Sequence, residues 1–313
     1  MMALSLLLMQ RAVVDPILMT FGFDSFLSTL EMLFMLLSVL LIAAGGYVIN
    51  DYFDIKIDAI NKPDSRIVGN ALERKKAIII HQVLSVIGAL LGIVLSLMLR
   101  SFTVGLLYVL VPGLLWFYSA SYKRQFIIGN LIVAFNSALS ILIVALVNVA
   151  KLKLHYQDLI YQTPIAHNIY AWVGGFALFA FLITIIREII KDMEDEEGDR
   201  EFECHTLPIQ LGVGKTKIII YILVAVVLAA LAFVNFRLIP FQSTLTDTYF
   251  YWGMLLPFVI FVLLLAFAKT KRDFAQASAF VKFIMLIGLL YSVVFYYLQA
   301  QTYGFPFFGL YAA

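Results

Sequence analysis

Most of the chain's carboxylates sit in two short stretches. Of 20 acidic residues, 14 fall within residues 51–73 and 188–203. The first stretch opens Asn50-Asp51-Tyr52-Phe53-Asp54-Ile55-Lys56-Ile57-Asp58; the second contains Asp192-Met193-Glu194-Asp195-Glu196-Glu197-Gly198-Asp199-Arg200. In both, three aspartates stand at i, i+3 and i+7, positions within roughly 60° of one another around a helix. Each stretch therefore predicts a row of carboxylates on one helix face. Two such rows facing each other would repel strongly. Divalent cations remove that objection, and Mg2+ in particular combines one or two carboxylates with the phosphates of a substrate. Cationic residues are interleaved with the acids: Lys62 and Arg66 follow the first row, Lys123 and Arg124 lie between, and Arg187, Lys191 and Arg200 bracket the second. Guanidinium and ammonium groups are natural phosphate partners. The predicted chemistry is metal-assisted handling of a diphosphate. Lys75, Lys76, Lys271 and Arg272 read instead as charges that set orientation in a bilayer.

The elements that carry these residues must be membrane helices. Of 313 residues, 63% are hydrophobic and 13% charged, and the mean hydropathy is +0.96. A soluble domain is about 45–50% apolar and about 25% charged, so a water-soluble enzyme is excluded. Disorder is excluded as well, by 27 Phe and 16 Tyr. The net charge of +2 gives no sign of a nucleic-acid partner, and a single cysteine, Cys204, rules out an intramolecular disulfide. Eight apolar stretches are long enough to span a bilayer, near 27–50, 77–99, 102–120, 129–150, 168–190, 217–239, 249–268 and 279–299. A ninth, near 3–22, carries Arg11 and Asp15-Pro16, and lacks the basic start and cleavage site of a signal peptide. The loops after even-numbered spans hold 17 Lys and Arg, the opposite loops only four. That bias puts the acidic stretches on the cytoplasmic side of the cell membrane. Gly45-Gly46, Gly88 with Gly92, and Gly174-Gly175 are expected where helices approach closely, and Asn136 and Asn148 where they hydrogen-bond to one another. His81 and His167, near helix ends, read as interfacial.

With these residues in view, the chain resembles the UbiA superfamily of intramembrane prenyltransferases over nearly its whole length. Asn50-Asp51-x-x-Asp54-x-x-x-Asp58 is similar to that family's first aspartate-rich motif, and Asn61-Lys62-Pro63-Asp64-Ser65-Arg66 to its Asn-x-Pro-x-x-Arg continuation. Tyr118-Ser119-Ala120-Ser121-Tyr122-Lys123-Arg124, followed by Gly129-Asn130, resembles the segment between the two motifs. Asp192-x-x-Asp195-x-x-x-Asp199, with Thr206-Leu207-Pro208 beyond it, resembles the second motif. The resemblance implies an all-α fold: a single domain over residues 1–313, with nine transmembrane helices around a central cavity and cytoplasmic cap helices. It implies transfer of a prenyl group from a polyprenyl diphosphate to a lipid or aromatic acceptor among the membrane lipids. Asp51, Asp54, Asp192, Asp195 and Asp199 would be the catalytic Mg2+ residues by the same resemblance. Asn50, Asp58, Arg66, Tyr118, Tyr122, Lys123, Asn130, Lys191 and Arg200 would contact substrate, with Arg66 and Lys123 on diphosphate oxygens and Tyr47, Tyr118 and Tyr122 available to an allylic cation.

One departure concerns the start. The family usually carries a basic residue and an Asn at the cytoplasmic end of its first helix, whereas Arg11 sits in mid-segment here. Either the start is shortened or this helix is atypical. The Glu196-Glu197-Gly198-Asp199-Arg200 segment and Ala43-Ala44-Gly45-Gly46-Tyr47 favour the branch whose acceptor is a geranylgeranylglycerol phosphate-type lipid, with an aromatic acceptor as the alternative. A non-enzymatic cation carrier would place its acids near the bilayer midplane; these lie at span ends.

Overall fold

The computed structural model describes residues 1–23, 26–61, 63–64, 66–239 and 243–309. Among them, nine helices are long and apolar enough to cross a membrane: α1 (Met2–Thr20), α2 (Thr29–Asn61), α3 (Arg74–Met98), α4 (Phe102–Ala120), α5 (Ile128–Ile160), α6 (Ile165–Glu194), α7 (Leu207–Leu238), α8 (Thr244–Phe267) and α9 (Lys271–Tyr303). No strand forms among the described residues beyond one isolated bridge, Val68 to Leu72. A 3-10 turn, Tyr122–Arg124, and a short helix, Glu196–Glu201, complete the face that carries the acids.

Several helices outrun the apolar windows that predicted them. α2 continues from the expected end at 50 to Asn61, and α6 from 190 to Glu194. A hydropathy window stops at the first charges, but a helix does not have to. Its backbone bonds are satisfied internally, and the aspartates face a cavity. The expected cap is accordingly the last three turns of α2 together with Glu196–Glu201.

α6 is the central element, packed against α5, α7, α9 and α1. α2, α3 and α4 form a second group joined to α5. One apolar core runs through α1, α2, α5 and the first half of α6, with Met9, Val13, Leu18, Met35, Val144 and Ile169 fully buried. Another runs through the second half of α6 with α7, α8 and α9, around Ile186, Ile189, Phe258, Phe261 and Ile284. Large apolar side chains remain on the outside, among them Leu97, Phe102, Phe233, Trp252 and Phe267, as expected where lipid is the solvent.

Close packing follows the small residues only in part. A Cβ on Gly92 would overlap the Tyr108 ring, and one on Gly88 would press on Ile42 and the Ser38 carbonyl, so these glycines set the α3–α4 and α2–α3 spacing. Gly174 and Gly175 face open space instead. They are not a close-approach site, because α6 has no helix against that face. His81 is buried rather than interfacial: its Nδ1 lies 2.9 Å from the Gly45 carbonyl.

α1 is anchored by polar groups. Its Met9–Val14 turn is π-helical, a winding that brings residues five apart together. Gln10 Nε2 thus donates to Asp15 Oδ1 at 2.8 Å. Asn148 Nδ2 on α5 donates to Gln10 Oε1 at 2.7 Å. Arg11 pairs with Asp15 at 3.0 Å, which is the role this mid-segment cation has here. Asn148 thus bridges helices as expected. Asn136 does not: its amide nitrogen and oxygen are buried without a hydrogen-bond partner among the described residues.

Replacing Asn148 with Leu is expected to destabilise the protein by about 1–2 kcal/mol, because the buried Gln10 Oε1 loses the donor that Asn148 provides. Thermal unfolding of the detergent-solubilised protein checks this; an unchanged midpoint would show the network to be idle.

Candidate active site

The two acidic stretches meet at one cavity. From α2 it is lined by Asn50, Asp51, Ile57 and Asp58; from the end of α4 and the turn after it by Tyr118, Lys123 and Arg124; from the start of α5 by Gly129 and Asn130. The opposite wall is Glu188, Lys191, Asp192, Asp195, Asp199 and Cys204. Six carboxylates and three cations therefore line it among the described residues, an excess of negative charge that a diphosphate could not enter without added cations.

Each wall is fixed by specific contacts. On α2, Asp54 lies one turn after Asn50 and accepts from its Nδ2 at 2.9 Å. Asp54 is buried beneath the lining and forms an ion pair with Lys123, whose Nζ also reaches Asn50 Oδ1 at 3.4 Å. Burial alone would favour the neutral amine of Lys123. The Asp54 carboxylate beside it outweighs that and raises its pKa above the ordinary lysine value. A raised pKa means the ammonium, and its pairing with Asp54, is fully present below the ordinary lysine value and is lost only as pH climbs past the raised one. Lys123 reaches this position because Gly129 lets α5 begin against the turn before it; a Cβ there would stand 3.0 Å from the Lys123 Cα.

The second row departs from its predicted shape. α6 ends at Glu194, and Asp195 leaves helical geometry (φ −96°, ψ 8°) before Glu196–Glu201 begins. Asp192, Asp195 and Asp199 are therefore not one face of one helix, yet all three still line the cavity. Asn130 Nδ2 donates to Asp192 Oδ2 at 2.8 Å, tying α5 to α6. The His205 amide donates to the Arg124 carbonyl at 2.9 Å, tying the chain after the second row to the turn after α4.

Of the residues singled out from sequence, Asn50, Asp51, Asp58, Tyr118, Lys123, Asn130, Lys191, Asp192, Asp195 and Asp199 come together at this cavity. Asp54 lies beneath the lining, held by Asn50 and Lys123, and four others stand away from the cavity. Arg66 turns back to the α2 backbone and donates to the Ile55 carbonyl at 3.3 Å. Arg200 is exposed and paired with Glu196 at 2.5 Å, one helical turn before it. Tyr122, at the start of the 3-10 turn, is exposed and is not part of the lining. Tyr47 is likewise exposed. Lys62 and Ser65 lie outside the described residues. Glu188 and Cys204 are lining residues that the spacing argument did not single out. Glu188 is one helical turn before Asp192 and pairs with Arg187 at 2.6 Å and Lys191 at 3.4 Å; its place at i−4 from Asp192 was the available signal. Among the described residues, no three His, Cys, Asp or Glu side chains form a ready-made chelate. The acids stand on separate walls, an arrangement suited to a metal whose coordination a ligand's oxygens complete.

Comparison with known proteins gives a consistent result. The UbiA prenyltransferase family model matches residues 16–290. The digeranylgeranylglyceryl phosphate synthase of Sulfurisphaera tokodaii is 32% identical over 263 residues, covering 83% of this chain and 84% of that protein. That of Methanosphaera stadtmanae is 30% identical, covering 81% and 84%. A solved structure of a digeranylgeranylglyceryl phosphate synthase aligns over 96% of this chain and 93% of its own at a TM-score of 0.59 and 25% identity. A UbiA homologue from Aeropyrum pernix shares the fold at a TM-score of 0.64 and 15% identity, over 93% and 97% of the chains. One from Archaeoglobus fulgidus, solved with DMAPP and Mg2+, does so at 0.53 and 14%, over 90% and 96%.

Cys204 reports on the cavity. Burial, reinforced by the charge of Asp199, pushes its thiol up to about 11, so at neutral pH the thiolate fraction is about 100-fold below that of an ordinary thiol. In EDTA-treated protein, alkylation should be slower by that factor and accelerate about tenfold per pH unit. Alkylation at the rate of free glutathione at neutral pH would contradict the burial described.

Proposed function

Because the chain belongs to the UbiA prenyltransferase family, we propose that it transfers a geranylgeranyl group from geranylgeranyl diphosphate to the hydroxyl of a geranylgeranylglycerol phosphate-type lipid. The observation that carries this reading is the pair of carboxylate walls, Asp51 and Asp58 against Asp192, Asp195 and Asp199, facing one cavity at the end of a bundle of apolar helices. The printed names of the relatives support the lipid acceptor.

Mg2+ suits this donor set: hard carboxylate oxygens on two walls, in numbers that exceed the cations beside them. Asp51, Asp54, Asp192, Asp195 and Asp199 would hold it, and when bound it would offset the charge gathering on the departing diphosphate. The chain's own residues do the rest. Lys123, kept charged by Asp54, is the cation available to a diphosphate oxygen. Asn50 orients Asp54, and Asn130 orients Asp192. Lys191 stands beside Asp192 on the same wall. Tyr118 borders the cavity where an allylic cation would form, and the apolar helices keep water from it. In the reaction the bond from prenyl C1 to the diphosphate oxygen breaks, its electron pair leaving with the diphosphate. The acceptor oxygen bonds to C1 and loses its proton to the carboxylate-lined, water-accessible side. The excess of Lys and Arg on the loops flanking this cavity supports a cytoplasmic mouth in the cell membrane. The chain would act as one transmembrane domain.

Mass spectrometry of purified protein with Mg2+, geranylgeranyl diphosphate and a panel of lipid and aromatic acceptors tests this reading, each component being omitted in turn. Product from the glycerol phosphate lipid, absent without Mg2+, is expected; product from an aromatic acceptor alone would overturn the acceptor assignment. Asp54→Ala or Asp195→Ala should lower turnover at least about 100-fold while the protein still inserts. Lys123→Ala should raise the KM for donor about tenfold and leave that for acceptor unchanged. Wild-type activity should show no inflection from Lys123 between about pH 6 and about pH 9, its charge being constant there.

A further inference from the structure

The short helix Glu196–Glu201 follows the break at Asp195, and one side chain from the opposite wall grips the backbone on both sides of that break. Asn61 is the last residue of α2 and is buried. Its Nδ2 donates to the Asp195 carbonyl at 3.0 Å, and its Oδ1 accepts from the Gly198 amide at 3.0 Å. Both ends of one amide are thus used, on either side of the break, 134 and 137 residues away in sequence. Gly198 permits the approach: a Cβ there would stand 2.6 Å from the Asn61 amide atoms. The Asn61 carbonyl, at the open end of α2, accepts from Lys271 Nζ at 2.6 Å, so the first residue of α9 holds the same point. Asn61 therefore sits between three elements, and two of them carry the facing carboxylates.

We propose that Asn61 is a positioning residue that sets the distance between the two carboxylate walls, and so their affinity for a divalent cation with diphosphate. The inference rests on the metal–diphosphate reading of the cavity. Its physical basis is that the walls repel when empty. Asp51 and Asp58 lie within three helical turns of Asn61 on α2, while Asp195 and Asp199 flank the backbone that Asn61 grips. A neutral amide serves here because it both donates and accepts without adding charge to an acidic site. No apolar residue of the same size could satisfy the carbonyl at the break and the amide of the next helix together.

The test is binding of Mn2+ in the presence of inorganic diphosphate, followed by electron paramagnetic resonance on detergent-solubilised protein, beside a thermal melt of each variant. Asn61→Ala removes both hydrogen bonds; Gly198→Ala, on the other wall, displaces the same amide by crowding. Both should weaken Mn2+ binding about tenfold or more in the fraction that melts cooperatively, and raise the Mg2+ concentration for half-maximal prenyl transfer in parallel. A lowered melting temperature with unchanged Mn2+ affinity in both variants would reduce Asn61 to a stability role and overturn the proposal. Wild-type protein that binds Mn2+ with diphosphate but transfers no prenyl group would instead refute the function proposed above and leave the role of Asn61 standing.

Discussion

Two rows of carboxylates held face to face at the edge of a low-dielectric bundle are the constraint to which the rest of the molecule responds. Like charges at the edge of a low-dielectric bundle repel more strongly than in bulk water, so the two walls need links that hold them together. The structure meets this with neutral and cationic links between elements distant in sequence. Lys123 joins the turn after α4 to Asp54 on α2, and Asn130 joins α5 to Asp192 on α6. Asn61 joins the end of α2 to the break after α6, and the His205 amide closes the circuit onto the Arg124 carbonyl. Each link uses a group that adds no negative charge.

The opposite end of the bundle keeps its spacing by other means. There α1 is held to α5 by Gln10 and Asn148, and the start of α2 is held to α5 by a buried ion pair, Glu31 with Lys151 at 2.6 Å. Polar contacts inside a bilayer gain modestly over their alternatives, but these also fix register, which an apolar surface surrounded by lipid cannot do alone. Between the two ends, spacing depends on Gly88 and Gly92, where an added Cβ would meet a neighbouring helix or ring. The cavity walls are therefore carried by helices whose separation is set along their length.

Much of this was legible in the sequence, and the exceptions share a cause. Asp51, Asp58 and Asp192 could be placed from spacing because they lie on continuous helix, where period determines face. The same reasoning failed in detail for Asp195 and Asp199, since a break in the backbone leaves no mark on the spacing of side chains. Asn61 stood in a recognisable motif, but its partners are a backbone carbonyl and a backbone amide, which no residue type advertises. Lys271 read as an orienting charge and also caps α2, a contact that depends on where α9 begins. Gly174-Gly175 looked like a packing site because the pattern of small residues cannot say whether a partner helix is present. Arg66 and Arg200 have phosphate-binding chemistry, yet local acceptors, the Ile55 carbonyl and Glu196, claim them.

The depth at which charge stops also gives the cavity a direction. Glu188, one turn further into the bundle than Asp192, is matched by Arg187 and Lys191. A further turn inward the polar contacts are neutral, Thr184 Oγ1 donating to Ser137 Oγ at 3.2 Å. Net charge inside hydrocarbon is costly, and this wall passes from unbalanced carboxylates, through an acid flanked by two cations, to hydroxyls within about 12 Å of helix. An amphiphile with a charged head and an isoprenoid tail can lie along that gradient in only one sense, head among the aspartates and tail toward the apolar core. Near the level of Glu188 the carboxylates give way to a cluster in which two cations, Arg187 and Lys191, flank one acid.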